Sequence, residues 1–268
     1  MDGVRSAFTV ATGLLLAIAS ISFTPVQPVR AAVPQCEGED ATAFLTSPGT
    51  LYGTSGDDVL VGSNGNDVIR GGGGYDHICA EGGDDRIEGG AGAHKIAAGT
   101  GNDIIDGGPQ GDGIYGEGGD DVIFGGDGDD YIESDHLFDL SEWGNDVVDG
   151  GRGNDKILDG TGDNLLKGGP GSDFIIGAGT ADGGSGDDVY VSAFDDFYNV
   201  CGGCHDGHAL GGSGNDFITA GGIGDTLIGS SGSDTLNSAA SGQIIDCGSG
   251  FDTVAGADPG DTVAPNCP

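Results

Sequence analysis

The sequence predicts an all-β solenoid, built of very short strands joined by glycine-rich turns. Three observations carry this. From Gly53 onward the 268-residue chain repeats with a period of nine, and twenty such repeats cover 180 residues. The eighth position is apolar in all twenty, from Leu60, Ile69 and Ile78 to Val254 and Val263, with Tyr190 the largest. One strictly apolar residue in nine fits neither a 3.6-residue helix nor a long alternating strand. It fits a strand of about three residues with one inward side chain, then a turn of about six. The 59 glycines supply such turns, since glycine enters the positive-φ region without steric cost.

The elements follow in order. Residues 1–31 read as a secretory signal peptide: Arg5 precedes the apolar run "AFTVATGLLLAIASISF", and "TPVQPVRAA" offers a cleavage site after Ala31, with Val29 and Ala31 fitting the small-residue rule. An uncleaved anchor helix is the alternative, but the run is short and ends in prolines. No other apolar stretch is long enough to span a bilayer, so no membrane insertion is expected. Residues 32–52 form an N-terminal cap in which Leu51 already stands at a degenerate eighth position. The first block, 53–133, holds nine repeats without a gap. After a loop at 134–140, a second block runs over 141–191, with a short break at 177–182. A Cys/His-containing insertion at 192–210 precedes the third block, 211–264, and residues 265–268 close the chain. The three interruptions read as loops bulging from the solenoid. "GAGTAD" (177–182) reads as a repeat stripped of its strand, with Asp182 still available as a ligand.

The chain carries 44 acidic residues against 8 basic ones, a formal charge of −36. Loss of Arg5, Arg30 and Asp2 with the signal leaves −37. With 6% aromatic residues this balance would ordinarily suggest disorder. It excludes nucleic acid and anionic membrane surfaces as partners, which would be repelled, and favours cations. The acids are also rhythmic, as in "GEGGDDVIFGGDGDDYIE" (116–133). Position six is Asp in seventeen repeats: Asp58, Asp67, Asp76, Asp85, Asp103, Asp112, Asp121, Asp130, Asp146, Asp155, Asp173, Asp188, Asp216, Asp225, Asp234, Asp252 and Asp261. The exceptions are His94, Asn164 and Gln243. Like charges crowded every nine residues need a counter-charge from outside the chain.

"GGDGDDYIE" (125–133) and "GGSGNDFIT" (211–219) match the nonapeptide GGxGxDxUx, where U is a large aliphatic. In this the chain resembles the RTX, or haemolysin-type, calcium-binding repeat family over about three quarters of its mature length. The resemblance implies a right-handed parallel β-roll in which two nonapeptides make one turn, strands stack on two faces and position eight fills the interior. It also implies multiple Ca2+ ions in the turns, held by the position-six aspartates named above and by main-chain carbonyls from repeats two apart.

The residues agree independently. Ca2+ takes six to eight hard oxygens at 2.3–2.6 Å in a forgiving geometry. Strand layers about 4.8 Å apart bring carboxylates of successive turns within reach of one ion. With partners eighteen residues apart, the complete carboxylate pairs are 58/76, 67/85, 85/103, 103/121, 112/130, 155/173, 216/234 and 234/252. His94 leaves the Asp76 and Asp112 sites one carboxylate short. Asn164 does the same to Asp146, and Gln243 weakens the sites of Asp225 and Asp261.

All six cysteines lie in the exported part, and an even count there reads as disulfides, with fifteen connectivities if all pair. Both ends of the repeat region look like those of secreted bacterial calcium-binding repeat proteins. That likeness, including the cysteine in the "IC" strand at Ile78-Cys79, implies Cys36–Cys79 and Cys247–Cys267 bonds capping the two ends. "CGGCHDGH" (201–208) fits a c-type haem attachment through Cys201, Cys204 and His205, or a zinc site with His208 added. Met1 is the only methionine and no helix is at hand to bear an axial ligand, so the expected reading is a local Cys201–Cys204 disulfide, with zinc and haem as alternatives.

No H-E-x-x-H helix or G-x-S-x-G elbow is present, and no catalytic residue or enzyme activity is expected. Position three (Ser55, Asn64, Gly73, Gly82, Ala91) lacks the regular Thr or Asn row of an ice-binding face. The expected function is a secreted, extracellular calcium-binding protein whose folding is driven by Ca2+ between turns. A cell-surface or matrix adhesion module built on the calcium-loaded roll is one alternative, and a small secreted enzyme built on the interrupting loops is another.

Overall fold

The computed structural model describes residues 33–135, 144–160, 162–192, 207–221, 224–239 and 241–268. The signal peptide, and Cys201, Cys204 and His205, lie outside the described residues.

Successive strands alternate between two parallel sheets, so that each strand pairs with the strand one full turn away. In one sheet Ile69 lies beside Leu51 and Ile87, and Ile105 beside Ile87 and Ile123. In the other, Ile78 lies beside Leu60 and Ile96, and Ile114 beside Ile96 and Ile132. The product is a parallel β-solenoid of about eleven turns, with no helix among the described residues. Parallel strands cannot be joined by tight hairpins. Here the return path is the opposite sheet, reached by a glycine-rich turn at each end.

Position eight forms the core. Its side chains are fully buried from Leu60 through Ile132 and almost fully from Val148 to Ile245, Tyr190 being 6% exposed. The last turn differs: Val254 is only partly buried and Val263 is 43% exposed, because the final strand, Thr262–Val263, has a neighbour on one side only.

The interruptions do not break the sheets. The segment 134–140 lengthens the step between paired residues to that of Ile132↔Ile157 and Ile123↔Val148, yet register is kept. "GAGTAD" does not lose its strand, contrary to expectation: Thr180–Ser185 pairs with Leu165–Pro170 and His208–Ser213, and Ala181 takes the interior place. A six-residue segment suffices because only its turn is shortened. Asp182 follows the interior residue and so faces outward. The end of the 192–210 insertion also supplies a strand, with Ala209 inward and His208 exposed, so His208 points away from the core.

Each end carries a disulfide. At the front, Gln35–Cys36 and Glu39–Asp40 form a small antiparallel hairpin around Glu37 and Gly38, both at positive φ as such tight turns require. The Cys36–Cys79 disulfide ties this hairpin to the roll, and Cys247–Cys267 closes the far end. A solenoid needs such caps, since its terminal strands otherwise present unpaired edges.

Candidate metal centres

Position six lies at the inner edge of each turn. Its aspartates are buried from Asp67 to Asp234, as are His94, Asn164 and Gln243; Asp58, Asp252 and Asp261, near the ends, are half-buried. Close packing against glycine places the carboxylates there. A Cβ on Gly71 would sit 2.6 Å from Asp76 Oδ2, so the first position of that repeat must stay bare. Gly72 and Gly74 take φ of +105° and +109°, a region that glycine enters without steric cost.

The position-six residues join into two ladders. Each main-chain amide donates to the side chain of the position-six residue one turn on. The first runs Gly49–Asp67–Asp85–Asp103–Asp121–Asp146–Asn164 and resumes at Gly207–Asp225 and Gln243–Asp261. The second is unbroken: Asp58–Asp76–His94–Asp112–Asp130–Asp155–Asp173–Asp188–Asp216–Asp234–Asp252. The gap in the first falls where Gly179 and Gly207 occupy position six.

At the aspartates these bonds use Oδ1 only. The Oδ2 atoms of Asp76, Asp85, Asp103, Asp112, Asp121, Asp130, Asp146, Asp155, Asp173, Asp188, Asp216 and Asp234 are buried without a hydrogen-bond partner. A buried carboxylate oxygen without a partner costs several kcal/mol if charged. Accordingly, burial pushes Asp85, Asp112 and Asp173 up to about 7 and Asp121 up to about 8, with main-chain amides pulling the other way and neighbouring aspartates adding to the rise. A row of buried, charge-starved, all-oxygen donors suits a hard divalent cation.

Three candidate residues stand apart. Asp58 Oδ2 accepts the amide and hydroxyl of Thr54, and Asp67 Oδ2 accepts the Ser63 amide. Asp261 Oδ2 accepts from the Asp258 amide and the Ser238 hydroxyl, and its amide bonds hold the carboxyl below its ordinary value. Their second oxygens are already engaged. At His94, Nδ1 lies 3.4 Å from Asp76 Oδ2, with both side chains fully enclosed.

Comparison with known proteins settles the affiliation. The RTX calcium-binding nonapeptide repeat (four copies) matches at residues 49–78, 80–114, 112–135, 141–157, 149–182, 158–190 and 210–241. The chain belongs to this family. No match was found among curated proteins. As an RTX repeat chain it is a calcium-binding β-roll, and the ladders are the structural form its repeats take.

One cluster lies off the nine-residue rhythm. Asp135, Asp146 and Asp159 are all buried, and donor oxygens of the three lie within 4.8 Å of one another. Asp146 is a position-six residue. Asp135 belongs to the 134–140 interruption and Asp159 stands at position one, where neighbouring repeats carry glycine, so counting position six finds neither.

Proposed function

We propose that this chain is an extracellular calcium-binding roll, without enzymatic activity, whose folding is driven by Ca2+ held between successive turns. The ligands are the position-six aspartates together with turn carbonyls. The observation that carries this is the repeated Oδ2 atom, buried and unpartnered turn after turn. In a chain of net charge −36, such a row is unfavourable at neutral pH until cations neutralise it. Because each inner carboxylate adjoins the position-six residue of the next turn, one ion stabilises two layers at once, which makes binding and folding a single process. The two disulfides at the roll's ends support an oxidising, extracellular setting.

The deciding experiment is a far-ultraviolet circular dichroism titration of the mature chain. In EDTA at neutral pH the spectrum is that of a largely unfolded chain, and millimolar Ca2+ restores β structure cooperatively. A β spectrum unchanged by EDTA would overturn the proposal.

A further inference from the structure

We infer that Asp135, Asp146 and Asp159 form a second kind of calcium site, enclosed in the interior of the roll and sharing Asp146 with the row of turn carboxylates. The column containing Asp159 shows how unusual it is. Position one is Gly, Ala, Ser or Cys in nineteen of the twenty repeats and Asp only at 159. Strand register puts Gly116, Ser134, Asp159 and Gly177 in one stack, since each follows a paired trio: Tyr115↔Glu133, Glu133↔Leu158 and Leu158↔Ile176. That stack faces inward. Asp159 is 0% exposed and Asp135 1% exposed, so the carboxylates are within the protein and not at its rim.

Neither oxygen of Asp159 has a hydrogen-bond partner, nor has Asp146 Oδ2, whereas Asp135 Oδ2 accepts the Gly144 amide at 3.2 Å. Asp135 and Asp146 crowd two further carboxylates against it inside the protein. A free carboxylate there is untenable; it must take up a proton or a cation.

The geometry favours the cation. Three atoms no more than 4.8 Å apart share a centre within about 2.8 Å of each, close to the 2.3–2.6 Å of Ca2+–oxygen bonds. The donors are all hard oxygens, which selects against zinc or copper. Complete enclosure selects calcium over magnesium, because Mg2+ retains several of its waters and demands strict octahedral geometry. The interruption has a role in this reading. It delivers Asp135, which no regular repeat supplies, and the ion joins the first residues of the 134–140 segment to the two turns that follow. Asp146 serves twice: its Oδ1 holds the Asp121 amide in the ladder at 2.8 Å, leaving Oδ2 for the interior ion.

The test uses the full chain, Asp159→Ser (which copies Ser134 one turn earlier) and Asp130→Asn as a turn-site control. Native mass spectrometry in millimolar calcium counts the ions on each. The expected result is one ion fewer on Asp159→Ser than on the parent, and that ion is the last to leave the parent on chelation. Equal counts for the parent and Asp159→Ser overturn the site. If Asp130→Asn loses ions while Asp159→Ser loses none, the turn sites stand and this one falls. Should Asp159→Ser not fold, a crystal of the parent protein grown in calcium decides. An ion bonded to all three carboxylates upholds the site, and a proton shared between Asp159 and a neighbouring carboxylate overturns it.

Discussion

The main-chain amide of Asp188 donates to Oδ1 of Asp216 at 2.9 Å, although twenty-eight residues separate them in the chain. The same bond spans twenty-five residues between Asp121 and Asp146 and fifteen between Asp173 and Asp188. The ladder is therefore a property of turns in space, not of an eighteen-residue interval. The number of residues between two strands can therefore change without disturbing it, because the strand on either side fixes the register.

Asp188, which a fixed interval leaves without a partner, should thus be a full participant. Asp188→Asn keeps the oxygen that holds the Asp173 amide and removes one charge. The calcium midpoint should rise about tenfold, or about 1.4 kcal/mol, as for Asp85→Asn. Asp182→Asn, outside the ladder, should leave the midpoint in place. Equal midpoints for Asp188→Asn and the parent protein would show that the ladder does not bridge the 192–210 insertion.

Much of this was legible in the sequence, and the reason is geometric. A solenoid converts position along the chain into position along an axis, so Leu60, Ile69 and their successors declare the core by period alone. The Cys36–Cys79 and Cys247–Cys267 bonds were likewise expected from the resemblance of the ends, and they are present. What the period could not reveal is what happens where it fails. "GAGTAD" keeps its strand because strand pairing is satisfied by three residues whatever their side chains, and Ala181 fits where a larger aliphatic usually sits. Asp159 escapes a count of position six because it stands at a glycine position, and Asp135 because it lies in a segment with no register to count. Val263 obeys the apolar rule and is still exposed, since periodicity says nothing of where the stack ends.

His94 interrupts the second ladder. It takes the Asp76 amide on Nδ1 at a long 3.4 Å, where aspartates accept the same bond at 2.6–3.1 Å. His94→Asp restores the carboxylate to the sites of Asp76 and Asp112 and should lower the calcium midpoint several-fold. Asp121→Ala removes one carboxylate from the first ladder and orphans the Asp103 amide, and should raise the midpoint about tenfold or more. Calcium titrations followed by circular dichroism give both values; identical midpoints for the two variants would mean that turn carbonyls alone set the affinity.

Gln110 holds φ of +83° at a position where most repeats have glycine, and its side chain is in solvent. A non-glycine residue there costs about 1–2 kcal/mol, partly offset by the greater entropy glycine has when unfolded. Gln110→Gly should raise the stability of the calcium-loaded roll by about 0.5–1 kcal/mol, read from denaturant midpoints at fixed calcium. Gln110→Ala tests the cause: it should not stabilise, because alanine meets the same strain.

The response to pH should reverse when calcium is removed. Without metal, burial raises the folded-state carboxyls of Asp103 and Asp130 to about 6, Asp85 and Asp173 to about 7 and Asp121 to about 8, against about 3.9 for an unfolded aspartate. A folded value above the unfolded one means that the folded state binds protons more tightly. Its contribution to stability is complete below about pH 4 and is lost as pH rises through about 6 to 8. The metal-free chain should therefore gain β structure on acidification and lose it towards neutrality. On the proposed assignment, calcium would take the place of protons on the same oxygens. The roll then stays folded at pH 8, and its calcium midpoint climbs as pH falls from about 8 to 5, because each ion must displace bound protons. Far-ultraviolet spectra recorded against pH, in EDTA and in millimolar calcium, separate the two branches. If the metal-free chain is less ordered at pH 4 than at pH 8, the aspartates are not buried as a protonated row, and the ladder does not exist without its ions.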